Sequence, residues 1–448
     1  MKRYQEITLL ACRRGMVTVS LCVFALFAGL FSHQVLAQTG INQTQGEITL
    51  PWVLEQTLLH NPQLQHYPYE LRVNEALALQ AGITPNPEFS VEVENILGTG
   101  EMQGVDNAEI TLGLSQVIEL GDKRQRRIDF AQAEERQSLS EYELLRLDIL
   151  AQATQRYYQV LRLQALQAWN AQRILVEQEA LSTIESRADA GAVTQADVSK
   201  MALRLSRSES IQHGLDGEAQ LAKLALASMW SSEAHFSLVA GDLGPLHTFP
   251  TAASVLNAME TAPQYLQMLS IERVMYAKRR LEESKAQYDI TLGLGVRSYD
   301  GFDDGALMFN FSMPIPLSNP NQGNIMAARA KEDMAMEQQR LARGQLRLSL
   351  LEIHQAMVNN AKQAKRLQDR LLPLANRLLK DTQVAYQAGQ ANVLLLADAQ
   401  SELFSLQREL IEANAAVYQR RLELERITGQ SMTATLDTIK PLVAQENR

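Results

Sequence analysis

Glu109-Ile110-Thr111-Leu112-Gly113-Leu114-Ser115-Gln116-Val117-Ile118-Glu119-Leu120-Gly121 runs directly into 69 residues that contain neither glycine nor proline. The first part alternates. Ile110, Leu112 and Leu114 fall on one face, and Glu109, Thr111, Gly113 and Ser115 on the other, the period-two pattern of a strand with one apolar side. The second part, Asp122 to Ala190, reads as a single helix, and at 1.5 Å per residue it would span about 100 Å. Few globular cores accommodate such a length, so it predicts a coiled coil or a tubular bundle.

Three further segments alternate in the same way. Phe89, Val91 and Val93 oppose Ser90, Glu92 and Glu94; Ile290, Leu292, Leu294 and Val296 oppose Thr291, Gly293, Gly295 and Arg297. Leu307, Phe309, Phe311, Met313 and Ile315 oppose Met308, Asn310 and Ser312. The expected strands cover about 88–96, 108–118, 288–297 and 307–317. Each is about ten residues long, the length of a tilted strand that crosses a bilayer. Half-buried strands of a soluble sandwich are the blander reading, with four strands inside a helical protein. Gly98 to Asn107 and Ser298 to Gly305 read as exposed hairpin loops.

The plan occurs twice, at an offset of roughly 200 residues. Leu54 and Pro62 are echoed by Leu256 and Pro263, Leu114 to Leu120 by Phe311 to Leu317, and Ala190-Gly191 by Ala388-Gly389. The sequence therefore divides into a first repeat at 38–230, a linker at 231–261, a second repeat at 262–430 and a tail at 431–448. Each repeat reads as helix, strand, strand, long helix, tight turn, helix. The turns, at 189–195 and 387–393, share one design. Gly191 and Gly389 tolerate the left-handed conformation that closes a helix C-terminus. Thr194 and Asn392, three residues on, carry the oxygens that cap the next N-terminus. Thr194-Gln195-Ala196-Asp197 also fits a capping box. Pro373 should interrupt the second long helix.

Residues 1–37 read as an export signal: Lys2, Arg3, Arg13 and Arg14, an apolar run from Met16 to Leu30, then Val35-Leu36-Ala37 before Gln38. The apolar run is too short for a membrane anchor. Cys12 and Cys22 both lie in this segment, which leaves the mature chain without disulfides, thiolate metal sites or a cysteine nucleophile. Leu21 before Cys22 is wrong for lipoprotein processing. Removing four basic residues and one acid moves the formal charge from -9 to -12, a poor match for nucleic acid. No other apolar run approaches a helical span, so a membrane-integral form must be a β-barrel. Four strands cannot close one, because the smallest use eight, so the pattern calls for several copies.

The mature chain resembles the TolC family of outer-membrane efflux proteins. The likeness covers the repeated plan and both turns, Gly191-Ala192-Val193-Thr194-Gln195-Ala196-Asp197 and Gly389 to Asp398-Ala399. Pro85-Asn86-Pro87-Glu88 to Asn95 and Gln116 to Arg124 look like the heavy-metal subgroup around CzcC and CusC. The resemblance implies an α+β membrane protein of two tandem helix-strand-strand-helix-helix repeats. In the family a homotrimer forms a twelve-stranded β-barrel in outer-membrane lipid, continuous with a twelve-helix periplasmic α-barrel. Residues 231–261 would join an equatorial belt. The hairpin tips, with Gly191, Thr194, Gly389 and Asn392, would dock on a periplasmic membrane-fusion adaptor. That adaptor couples the duct to an inner-membrane transporter, here of the resistance-nodulation-division type.

Family members close the periplasmic entrance with acidic residues near the second tip. Asp398 falls on one such position, and Leu395 occupies the other, so packing around Leu395 would replace part of an acidic ring. Asp197 is the first-tip counterpart, with a capping role as its competing assignment. Glu92, Glu94 and Glu109 would line the barrel lumen and favour cations, with Arg297 diluting their field. Lys123, Arg124, Arg126 and Arg127 read either as contacts to anionic lipid or as a solvated helix start.

His60, His66, His213, His235, His247 and His354 lack ligand spacing, and Met326, Met334, Met336 and Met357 read as core filling. No metal or cofactor site is expected. With no P-loop, nucleophile elbow or dinucleotide fingerprint, the reading is a passive duct for metal cations rather than an enzyme. A drug-efflux or type I secretion duct is the alternative within the fold. A periplasmic adaptor or coiled-coil scaffold is the alternative outside it.

Overall fold

The computed structural model describes residues 46–100, 103–105, 107–246, 248–300, 304–315 and 320–430. The export signal, the tail at 431–448, His247 and the end of the fourth expected strand lie outside them. In chain order, β1 (Glu47–Ile48), α1 (Leu50–His60) and α2 (Pro62–Ala81) precede the strands β2 (Glu88–Glu94) and β3 (Glu109–Ile118). Helices α3 (Lys123–Asp189) and α4 (Gln195–Ala227) follow. A connection with β4 (Leu238–Val239) and α5 (Ala252–Asn257) leads to α6 (Pro263–Ser284), β5 (Ile290–Tyr299) and β6 (Asp304–Ser312). Then come α7 (Gln322–Arg366), α8 (Leu372–Gln387) and α9 (Val393–Thr428).

With no helix breaker inside it, α3 runs unbroken for 67 residues. Its counterpart is interrupted. Between α7 and α8 the chain makes a π-helical turn at Leu367–Leu371, and Pro373 stands in the first turn of α8. Proline has no N–H to donate, and its ring crowds the carbonyl four residues back. A wider turn just before it accommodates both demands.

The four long strands form one antiparallel sheet in the order β2-β3-β5-β6, and β3 with β5 joins the two halves of the chain. Its rows are uniform in chemistry. Val91, Leu112, Val296 and Leu307 stand side by side, and the next row is Glu92, Thr111, Arg297 and Ala306. Alternation continues to Ile315 in the sequence, but β6 begins at Asp304 and its ladder stops at Ser312, short of the donor-less Pro314.

Helix α3 packs on α2 and α6 near the strands and on α4 and α9 farther away, while α7 packs on α6 and then α9. Helix α8 packs on α9. Two pairs of shorter helices meet end to end. The Asn61 side chain, capping α2, donates to the Met229 carbonyl beyond α4 at 2.9 Å. At the other junction Gln430 donates to Thr261 Oγ1 at 3.3 Å. Gly429 there, at φ +66, lies so close to Pro263 that a Cβ would approach the proline ring to 2.8 Å. The main core clusters sit at these junctions. One gathers Ile48, Leu54, Tyr157, Val160, Trp230 and Val239. The other gathers Val255, Met259, Leu350, Met357 and Leu424. Tyr157 donates to the Ala240 carbonyl at 2.6 Å, and burial pushes its pKa up to about 12.

Candidate functional site

The register places every charged residue of the sheet on one face. Glu88, Glu92, Glu94, Glu109, Arg297 and Asp304 share it with Ser90, Thr111 and Asn310. Gly113 and Gly295 face each other across β3 and β5 on this side. A Cβ on Gly113 would approach Ser90 Oγ to 2.6 Å, so the polar face is kept thin. The opposite face carries Phe89, Val91, Val93, Ile110, Leu112, Leu114, Leu294, Val296, Leu307, Phe309 and Phe311, all exposed. Leu307 is 81% and Phe309 68% accessible. An exposed apolar surface of this extent marks contact with a membrane or another protein.

Glu92, Glu94, Glu109 and Arg297 thus lie on one surface but are not equivalent. Arg297 Nη2 pairs with Glu94 at 2.9 Å, and Nη1 with Glu109 at 2.7 Å. Arg297 Nε donates to Thr111 Oγ1 at 2.8 Å. Asn95 donates to the other Glu109 oxygen at 2.8 Å. Glu92 has no ion-pair partner among the described residues.

Where the sheet meets the helices, Arg126 pairs with Asp129 of its own first turns at 3.2 Å, and the rest of the basic run has partners beyond its helix. Arg124 donates to the Gly82 carbonyl at 2.6 Å, and Arg127 to the carbonyls of Ala81 and Ile83 at 3.2 and 3.1 Å. The two arginines therefore satisfy carbonyls left open at the end of α2, where cations also suit the helix dipole. Arg127 in addition pairs with Glu119. Lys123 and the Leu120 amide both donate to Asp289, at 2.7 and 3.0 Å, which ties the start of α3 to the segment leading into β5.

At the far ends of the long helices, both turns form the same closing motif. Gly191, at φ +72, donates to the Ala188 carbonyl, and Ala192 to that of Arg187. Gly389, at φ +70, donates to Tyr386, and Gln390 to Ala385. Thr194 and Asp197 form a reciprocal capping box, in which the Asp197 carboxylate accepts from the Thr194 amide at 3.1 Å and hydroxyl at 2.7 Å. These bonds, the hydroxyl's foremost, hold the Asp197 pKa below its ordinary value. Asn392 caps α9 through the Leu395 amide at 2.9 Å. The two tips share one apolar cluster of Ile184, Val198, Met201, Tyr386, Val393 and Ala397, and the Arg187 guanidinium lies 4.3 Å from the Tyr386 ring centre. Leu395 (53% accessible) and Asp398 are both exposed, one turn apart on α9.

Behind the tips lies a charged group that sequence reasoning missed. Glu177, at 0% accessibility, is paired with Arg173 at 3.0 Å and Arg204 at 3.7 Å, and accepts from the Ser208 hydroxyl. Arg204 also donates to the Ala397 carbonyl and Ser401 Oγ on α9, each at 2.8 Å. Burial pulls the Arg204 pKa down, against the opposing pull of Glu177. The only local signal was the four-residue spacing of Arg173 and Glu177. The remaining partners come from two other helices.

Among the described residues, both sides of the sheet end without partners. Strands β2 and β6 each pair on one edge alone. Exposed apolar residues continue along the flanking helices, at Tyr69, Val73 and Leu77 of α2 and at Met334, Leu341 and Leu348 of α7. Among the described residues no helix is long and apolar enough to cross a membrane, and no cluster of three or more His, Asp or Glu is arranged to hold a metal.

A two-faced sheet on a layer of very long helices is a rare combination, and comparison with known proteins finds it again. The family model described as outer membrane efflux protein matches residues 53–232 and 273–430. The cobalt-zinc-cadmium resistance protein CzcC of Cupriavidus metallidurans is 24% identical over 393 residues, which cover 87% of this chain and 91% of that protein. A crystal structure of a membrane protein from Pseudomonas aeruginosa superposes with a TM-score of 0.73 at 18% identity, over 85% of this chain and 92% of the other. A structure of CusC, described in terms of folding and transmembrane channel formation, gives 0.71 at 15% identity, over 85% and 92%. The fold is that of the TolC-like outer-membrane channels, and the chain belongs to the outer membrane efflux protein family.

Proposed function

We propose that this chain is one of three subunits of an outer-membrane duct through which an efflux pump expels divalent or heavy-metal cations. The observation that carries the reading is the sheet. Its apolar face is exposed over most of its length, its charges are confined to the other face, and both edge strands are open. An open edge is a template for pairing with another strand, and lipid tolerates no unpaired edge. Pairing β2 of one copy with β6 of the next removes every edge when the ring closes. Two copies give eight strands, which side chains fill; three give twelve and a wider passage.

The polar face then lines the passage, and the helices extend it into the periplasm. The tips, far from the sheet, meet a periplasmic adaptor that joins the duct to an inner-membrane transporter of the resistance-nodulation-division type. Asp398 and Leu395 contribute to the closed entrance, whereas the Asp197 carboxylate is committed to its cap. Metal cations as cargo are supported by the similarity to CzcC and by the segments at 85–95 and 116–124. A strain that lacks the gene, challenged with cobalt, zinc, cadmium and copper salts and with a panel of drugs, tests the assignment. Sensitivity to one or more of the metals, restored by the intact gene, is expected. Sensitivity to drugs alone would assign the duct to another cargo.

A further inference from the structure

The carboxylates of the polar face differ in what is left of their charge, and one residue makes the difference. Arg297 stands on β5 directly opposite Thr111 of β3, which stands opposite Glu92 of β2. Its guanidinium does not point along this row to Glu92. It turns toward the loop end of the sheet, where each of its three nitrogens has its own partner: Nε on Thr111, Nη1 on Glu109 and Nη2 on Glu94. Asn95 occupies the remaining oxygen of Glu109. Three strands are thereby bridged by one planar cation, a geometry that the point charge of lysine does not reproduce. The Arg297 side chain is largely covered by these neighbours, at 18% accessibility.

We propose that Arg297 is the specificity-determining residue of the passage: it cancels part of the field of Glu94 and Glu109 and so sets how strongly the lining favours cations, leaving Glu92, with Glu88 and Asp304, as the carboxylates that act on passing ions. This rests on the reading of the polar face as the lining of a membrane duct. A ring of side-chain charge governs ion preference through its net sign, and the five carboxylates Glu88, Glu92, Glu94, Glu109 and Asp304 against the one guanidinium of Arg297 give the polar face of each copy a negative balance. Removing Arg297 deepens that balance. Removing Glu94 and Glu109 leaves Glu88, Glu92 and Asp304 against Arg297, and the balance is halved.

A structural role for the same cluster, as a clamp across β2, β3 and β5, makes a different forecast. Both changes break the clamp, so a clamp alone moves selectivity in one direction or not at all. A charge role moves it in opposite directions.

The test uses full-length protein in planar lipid bilayers, with the reversal potential read across a potassium chloride gradient. Arg297→Gln is expected to raise the potassium-to-chloride permeability ratio by about twofold or more. The paired substitution Glu94→Gln and Glu109→Gln is expected to lower the ratio toward one, and Arg297→Lys, which keeps the charge, to stay near the parent value. The differences should shrink between about 0.1 M and 1 M salt, as the screening length falls from about 10 Å to 3 Å. An unchanged ratio in Arg297→Gln, or shifts of the same sign in both the Arg297→Gln and the paired variant, overturns the inference while the duct stands. An inserted protein that conducts nothing either as the parent or with Asp398→Ala at the entrance overturns the duct, and the inference with it.

Discussion

Single residues decide the tips, and they act over a few positions. Gly191 and Gly389 take the left-handed conformation, Thr194 and Asn392 cap, and Asp197 completes the box. All of this chemistry lies within six or seven residues of chain, which is why it was legible in the sequence. The Asp197 carboxylate is held below its ordinary value near 3.8 because its ionised form accepts both Thr194 bonds. A depressed acid contributes its stability above the unfolded pKa and loses it as pH falls through the folded one. The first turn of α4 should therefore stay protected from amide exchange above about pH 4 and fray below it. Exchange rates corrected for intrinsic pH dependence check this, and Asp197→Ala should fray at every pH. Asp398 has no capping bond and is exposed beside Leu395, so Asp398→Ala is expected to leave the hairpin intact and increase leak through the closed entrance. Single-channel recording at rest reads the change, and an unaltered conductance contradicts the entrance role.

Between elements, the stabilising contacts join residues far apart in the chain, and here the sequence was silent. Nothing in the local sequence around Glu177 and Arg204 indicates burial, yet the first is wholly buried and the second reaches across to α9. Breaking a buried pair by deleting one partner strands the other charge, at a cost of about 3–5 kcal/mol. Glu177→Ala, which leaves two guanidiniums facing a void, is expected to destabilise the tip region by about 3 kcal/mol. Denaturant unfolding of the detergent-purified protein measures it, and a loss under about 1 kcal/mol would mean that water reaches the site. The basic run after β3 carries the same lesson. In sequence Arg124 and Arg127 belong to a basic helix start, and in the structure they also close the end of α2, some 42 and 46 residues earlier. Which acceptor a long cationic side chain finds is fixed by packing, not by its neighbours in sequence.

On the scale of the whole molecule, periodicity made the architecture readable. Four period-two segments and a breaker-free stretch foretold a sheet with one apolar face on very long helices, and the register confirms which residues share each face. The pairing of charges on the polar face was less legible, because Arg297 and Glu109 are 188 residues apart. How many chains close the sheet is likewise a property of no single chain. On the proposed reading it follows from the curvature that several copies adopt together, and alternation along one strand does not encode that number. The central claim is that one chain is an incomplete wall. Native mass spectrometry of the full-length protein released from outer-membrane detergent micelles tests it most directly. Three chains in one particle, resistant to detergent and separated by heat, are the expected result. A folded particle of a single chain, about 50 kDa or less, would contradict it.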